Sequence, residues 1–197
     1  MHAKDPEAAK LGMWLFLFTE ILLFGGLFLL YASYLYRFPD EFHVGGKQLS
    51  LIYGTVNTAI LLISSWAVAM SISALHRNRD SLSRKMLLLT IGLGLVFLVN
   101  KAFEWHGKIA AGIYPDSPVL NTKPDGEVLF FGLYYLMTGL HGIHVLIGCC
   151  LLLFAYWWLR IGKIHRTDYA LLENVGLYWH LVDLIWVFLF PLFYLIA

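Results

Sequence analysis

A chain of 197 residues has the length of one ordinary domain, yet 59% of it is hydrophobic and only 14% is charged, against about 25% charged in soluble domains; it reads as an integral membrane protein. At roughly 20 apolar residues per bilayer-spanning helix, the length allows about five to seven spans with short loops and little else. The 14 Lys and Arg against 13 Asp and Glu leave a net charge of +1, which supplies no field for steering nucleic acid and excludes that class of partner.

The N-terminal Met1-His2-Ala3-Lys4-Asp5-Pro6 is polar. The apolar run after Lys10 is too long for a secretory signal and shows no small-residue cleavage site, so it is expected to stay as the first span, 11–36. Further charge-poor stretches predict spans at 49–75, 84–107, 128–159 and 174–197. The fourth is long enough to tilt or to project a turn beyond the hydrocarbon. Short polar connections such as His76-Arg77-Asn78-Arg79-Asp80 separate the spans. Lipid cannot satisfy backbone groups, and the alternating ten-residue strands of a barrel are missing, so the spans are predicted to be helices. The expectation is an all-α bundle of five transmembrane helices forming a single membrane domain over 1–197, without an internal repeat.

Five spans put the termini on opposite faces. The N-terminal face collects Lys4, Lys10, Arg77, Arg79, Arg84, Lys85, Arg160, Lys163 and Arg166; the other face has Arg37, Lys47, Lys108 and Lys123. This excess of nine over four predicts a cytoplasmic N-terminus and an external Ala197. The longest loop, 109–127 with three prolines, would then face outward.

Polar groups within spans are expensive and usually face protein, which makes each a candidate functional residue. Glu20 lies about nine residues into the first span, roughly 14 Å deep at 1.5 Å per residue. Two readings are open: a neutral carboxyl hydrogen-bonded to another helix, or a lipid- or proton-linked group. Lys101 and Glu104, three apart near the outer end of the third span, share a face and predict a structural ion pair at the interface with Lys101 snorkelling. Trp105 beside them fits an interfacial anchor. In the fourth span, Thr138-Gly139-Leu140-His141-Gly142-Ile143-His144 puts both histidines on one face. Gly139 and Gly142 are expected to let another helix come close. Cys149 and Cys150, adjacent in an apolar run, read as small packing residues. In the fifth span, His180 and Asp183 lie on one stripe. For the histidines, packing by interhelical hydrogen bonds, haem ligation as in membrane cytochromes, and a proton- or lipid-linked role are all compatible with the spacing. Nucleotide loops, nucleophile elbows and paired metal-ligand motifs do not occur, so neither a catalytic residue nor a metal site is expected.

The run from Thr138 through His141, His144 and Gly148, then Glu173, then Tyr178-Trp179-His180-Leu181-Val182-Asp183-Leu184-Ile185-Trp186 resembles subunit III of the haem-copper respiratory oxidases. The likeness extends to Gly12 through Glu20 to Gly25, which resembles the segment carrying that family's intramembrane glutamate, and to Gly94 through Phe97 with Glu104-Trp105. Nearly the whole chain is covered, and the two histidine motifs together are specific. The resemblance implies a noncatalytic subunit of a bacterial inner-membrane oxidase, packed beside subunit I and other subunits, supporting proton uptake and holding ordered phospholipid. It implies no cofactor in this chain, with haem and copper in the partner subunits. Longer relatives have seven helices, the first two forming one arm of a lipid-filled V, whereas this chain starts at what corresponds to their third; the lipid cleft is therefore expected to be reduced or completed by a neighbour. At Lys101 the resemblance leads to an expected glutamine. A stand-alone membrane cytochrome b, with His141 or His144 paired to His180, and a small proton or ion transporter using Glu20, Asp183 and Lys101 are the alternative readings.

Overall fold

The computed structural model describes residues 6–196, with side chains over 8–196; the segment 1–5, including Lys4, and Ala197 lie outside the described residues. In chain order the elements are α1 (Pro6–Arg37), α2 (Pro39–Lys47), α3 (Leu51–His76), α4 (Asp80–Ala110), a 3-10 turn (Leu120–Thr122), α5 (Asp125–Arg160), α6 (Ala170–Pro191) and a wide π-type turn (Leu192–Ile196). All but α2 and the two turns are long and apolar enough to cross a membrane, so the chain is an all-α membrane protein, a bundle of five spanning helices. Helices α1, α4, α5 and α6 begin before the charge-free stretches do. A charge-free stretch marks the part that lipid tolerates, while the helix itself continues through the wet interface.

Charge-free stretches do not reveal α2. Phe38 precedes a proline, leaves the helical region (φ −132°, ψ 57°) and stops α1; Pro39 then opens α2, with Asp40 and Glu41 in its first turn and Lys47 in its last, each charge matched to the helix dipole. Its Phe42 is fully buried against Tyr31 and Phe130, ring centroids 5.3 and 5.5 Å away. At the end of α2, Gln48 donates to Glu127 (3.0 Å), Lys123 reaches both Gln48 Oε1 (3.1 Å) and Glu127 (2.7 Å), and Lys108 donates to the Gln48 carbonyl. These contacts fasten α2 to α4 and α5 on the face opposite the N-terminus.

Three helices stop the same way. Asn78 (φ 56°), Gly112 (φ 73°) and Gly162 (φ 75°) turn left-handed. The next amide in each case bonds back five residues: Arg79 to Ala74, Ile113 to Lys108 and Lys163 to Trp158, all at 2.9 Å. This satisfies carbonyls that a helix end leaves open.

Packing closes α3, α4, α5 and α6 into a ring, with the α3–α4 hairpin the most extensive contact; α1 leans from outside on α6 and α5. Only 11% of the most apolar window of α1 is buried, against 50% for the last span, so most of α1 presents Leu15, Phe18, Leu22 and Leu29 outward to lipid or to another protein. One bond secures its far end: the buried Tyr31 hydroxyl donates to the Leu192 carbonyl at 2.6 Å. Tyr31→Phe is expected to reduce stability by about 0.5–1.5 kcal/mol, read as an earlier midpoint in denaturation of the purified protein.

Candidate functional site

The polar residues of the spans are joined mainly across helices. Glu20 of α1 meets His144 of α5, Oε2 to Nε2, at 2.8 Å, with both side chains largely covered. The other ring nitrogen, Nδ1, lies 2.7 Å from the Leu140 carbonyl. A carbonyl only accepts, so Nδ1 carries a hydrogen, and the Glu20–His144 contact then holds a single proton: a neutral acid donating to imidazole, or imidazolium donating to carboxylate. The edge of Phe24 covers the ring at 5.4 Å, and Tyr178 donates to the His144 carbonyl at 3.1 Å.

A second set fixes α6 to α3. Trp179 Nε1 donates to Ser64 Oγ at 3.0 Å, Trp186 Nε1 donates to Thr58 Oγ1 at 3.0 Å, and Ser65 Oγ lies 2.6 Å from His180 Nδ1. Asp183, one turn beyond His180, is 4% exposed, and neither of its oxygens has a hydrogen-bond partner among the described residues. His141 is fully buried with both nitrogens unpartnered among the described residues, its ring near Phe97 (5.5 Å) and Trp186 (5.2 Å). Protein rings thus occupy part of the space around His141. His144 has both nitrogens engaged within the chain, and His180 has one. Among the described residues no group of three or more His, Cys, Asp or Glu side chains is arranged to hold a metal ion.

Lys101 and Glu104 meet at 2.9 Å, but the pair does not snorkel. Each residue is 5% exposed, and the three hydrogens of the ammonium go to Glu104 Oε2 (2.9 Å), Tyr134 (3.0 Å) and Tyr194 (2.9 Å). The two phenols in turn donate to Glu104 Oε1 at 3.0 and 2.6 Å, and the Trp186 ring lies 5.2 Å from Nζ. The pair is enclosed because the turn after Pro191 folds Tyr194 back over it while α5 supplies Tyr134.

Gly142 does not serve the close helix approach expected of it, whereas Gly139 admits one ring of α4. A side chain at Gly142 would meet nothing within 4 Å in this chain, and at Gly139 only the Trp105 ring is near, at 3.0 Å. Both line a groove between α4 and α5 with Leu98, Ala102 and Ile143. Closer packing is found at Gly94 and Gly148, which both meet Trp179, and at Gly45, Gly54, Gly126 and Gly176, which meet other side chains. A Cβ at Gly94 would come within 2.7 Å of the Trp179 ring, and one at Gly148 within 2.8 Å. Thr58, Ser64, Ser65, Tyr134 and Tyr194 were not singled out in the sequence; the signal available for the first three was a run of hydroxyl residues along one otherwise apolar span.

Compared with known proteins, the family described as cytochrome c oxidase subunit III matches residues 3–197. Cytochrome c oxidase subunit 3 of Synechocystis sp. is 32% identical, over 99% of this chain and 78% of the relative's own length. The subunit of the same description from Thermostichus vulcanus is 32% identical over 100% of this chain and 92% of its own length. Cytochrome bo(3) ubiquinol oxidase subunit 3 of Pseudomonas aeruginosa is 29% identical over 100% and 89%.

Proposed function

Since this chain belongs to the cytochrome c oxidase subunit III family, we propose that it is the noncatalytic subunit III of a haem-copper terminal oxidase in aerobic respiratory electron transport. It assembles with subunit I and further subunits in a bacterial inner membrane, with the basic-rich N-terminal face toward the cytoplasm. Haem and copper belong to the partner subunits; this chain stabilises subunit I, supports its proton uptake and holds phospholipid.

The observation that carries the reading is the use to which the interior polar groups are put. Glu20, Ser64, Thr58, Ser65 and Glu104 each bind a side chain of another helix, as expected of a scaffold whose polar residues hold helices together. The largely uncovered outer face of α1 supports packing against lipid or a further subunit. Beside Glu20, an apolar groove of about 250 Å³ between α1 and α6, lined by Ile21, Phe24, Gly25, Phe28, Leu184 and Phe188, has the chemistry of an acyl-chain seat. Glu20 and His144 at its edge are read as lipid- or proton-linked, as are His141, His180 and Asp183.

Glu20 is the residue on which the reading is tested. Glu20→Gln keeps the shape and can still hydrogen-bond to His144 but holds no exchangeable acid proton, so initial oxygen consumption by the assembled oxidase is expected to persist. Glu20→Ala leaves His144 Nε2 without its partner and is expected to cost about 1–3 kcal/mol, seen as loss of subunit or lipid and a shorter active lifetime over successive turnovers. Immediate loss of oxygen reduction in Glu20→Gln, with the complex intact, would assign Glu20 to the catalytic proton path instead.

A further inference from the structure

A cavity of about 380 Å³ opens toward the N-terminal face between α1, α3 and α6. Its mouth carries Lys10 and Glu173, 3.4 Å apart, and it continues into a second, more polar recess of about 490 Å³ formed by Thr167, Asp168, Tyr169 and Asn174. Its walls are Trp14, Ala69, Ile72 and Leu177, and its far end is the ring of His180. Antiparallel α3 and α6 bring Ser65 and Asp183 one turn deeper. The Ser65 hydroxyl lies 2.6 Å from His180 Nδ1, and the two oxygens of Asp183, one turn on from His180, are buried with no hydrogen-bond partner among the described residues. A buried carboxyl in that condition calls for water or a proton.

We propose that this cavity is the entrance of a dead-end, water-filled proton well, running from the N-terminal face past Lys10 and Glu173 to His180 and through Ser65 to Asp183. The transfer balances with one proton. A proton from the aqueous phase, carried by water in the cavity, adds to His180 Nε2; Nδ1 releases its hydrogen to Ser65 Oγ, and the hydrogen already on Ser65 passes through a water lodged against the carboxyl to an Asp183 carboxylate oxygen. The imidazole ends neutral as the other tautomer, and Asp183 as the acid. The charged and titratable groups facing the path are Lys10 from α1, Asp168 and Tyr169 in the outer recess, and Glu173 and His180 from α6; α3 contributes Ser65, which is not ionisable. On α5, His144 is already closed by Glu20. The well rests on the reading of His180 and Asp183 as proton-linked, and it does not depend on which subunit lies alongside.

Infrared spectroscopy of the purified oxidase complex tests it, through the carbonyl stretch of a protonated carboxyl followed during transfer into D2O. A band lost in Asp183→Asn is expected to shift promptly in the wild type. The shift should be slowed by Ala69→Phe, which fills the cavity, and by Ser65→Ala, which leaves the cavity but removes the bridging hydroxyl. Absence of any band dependent on Asp183, or prompt exchange in both blocking variants, would overturn the well. Exchange as expected, with oxygen consumption unchanged in Asp183→Asn, would uphold the well and defeat the proton-uptake reading of these residues.

Discussion

Leucine at Gly148 is expected to damage the fold of this chain, while leucine at Gly142 leaves it intact. Trp179 is fully buried, anchored through Nε1 to Ser64, and approached at its benzo ring by Gly94 and Gly148. A Cβ at Gly148 would stand 2.8 and 2.9 Å from two carbons of that ring, and one at Gly94 would stand 2.7 Å from it, so α4 already packs closely on the ring that Gly148 would displace. Overpacking of this kind costs about 1–3 kcal/mol and sometimes more, and it falls where α4, α5 and α6 meet. At Gly142 a side chain enters open space, so the chain's own stability should change by no more than about 0.5 kcal/mol. Denaturation midpoints of the two purified variants separate them. Equal destabilisation would mean that Gly142 does carry a close contact, and loss of complex assembly in Gly142→Leu with an intact monomer would place a partner in the groove.

Glu104→Ala should have a still larger effect. The carboxylate accepts from Lys101, Tyr134 and Tyr194, and its removal leaves an ammonium in the bundle interior with only two phenol oxygens. Breaking a buried pair by deleting one partner costs about 3–5 kcal/mol. Lys101→Gln is the milder change, because Glu104 keeps both phenol donors and glutamine can replace one ammonium hydrogen; about 1–3 kcal/mol is expected. Thermal unfolding of both variants measures the difference. A wild-type midpoint for Glu104→Ala would show that the pair is exposed to solvent in the protein as it works.

The spans were legible because bilayer thickness writes itself into the length of each apolar run. So was the Lys101–Glu104 contact, since three residues of helix set it. Its burial was not, because the covering hydroxyls come from Tyr134 and from Tyr194, 93 residues from Lys101, beyond any local periodicity. Glu20 and His144 each stood out as misplaced in lipid, but nothing in either helix says that they face one another across 124 positions. Which glycines admit a close neighbour was hidden for a related reason: of Gly139 and Gly142 in the histidine motif only Gly139 meets a ring of another helix, while Gly94 and Gly148 meet Trp179 because of how α4, α5 and α6 are arranged. Helix α2 was missed because it is too short and too polar to register as a span, although Pro39 followed by two acids is an ordinary helix start.

Purification of the native complex through a tag on this chain is the most direct test of its place as a noncatalytic oxidase subunit. A larger haem-bearing polypeptide is expected to come down with it in fixed proportion, carrying the oxygen-reducing activity, and the visible haem spectrum should stay with that polypeptide when the two are separated. A stoichiometric Soret band remaining on the separated chain, or recovery of the chain with no haem-bearing partner, would contradict the account.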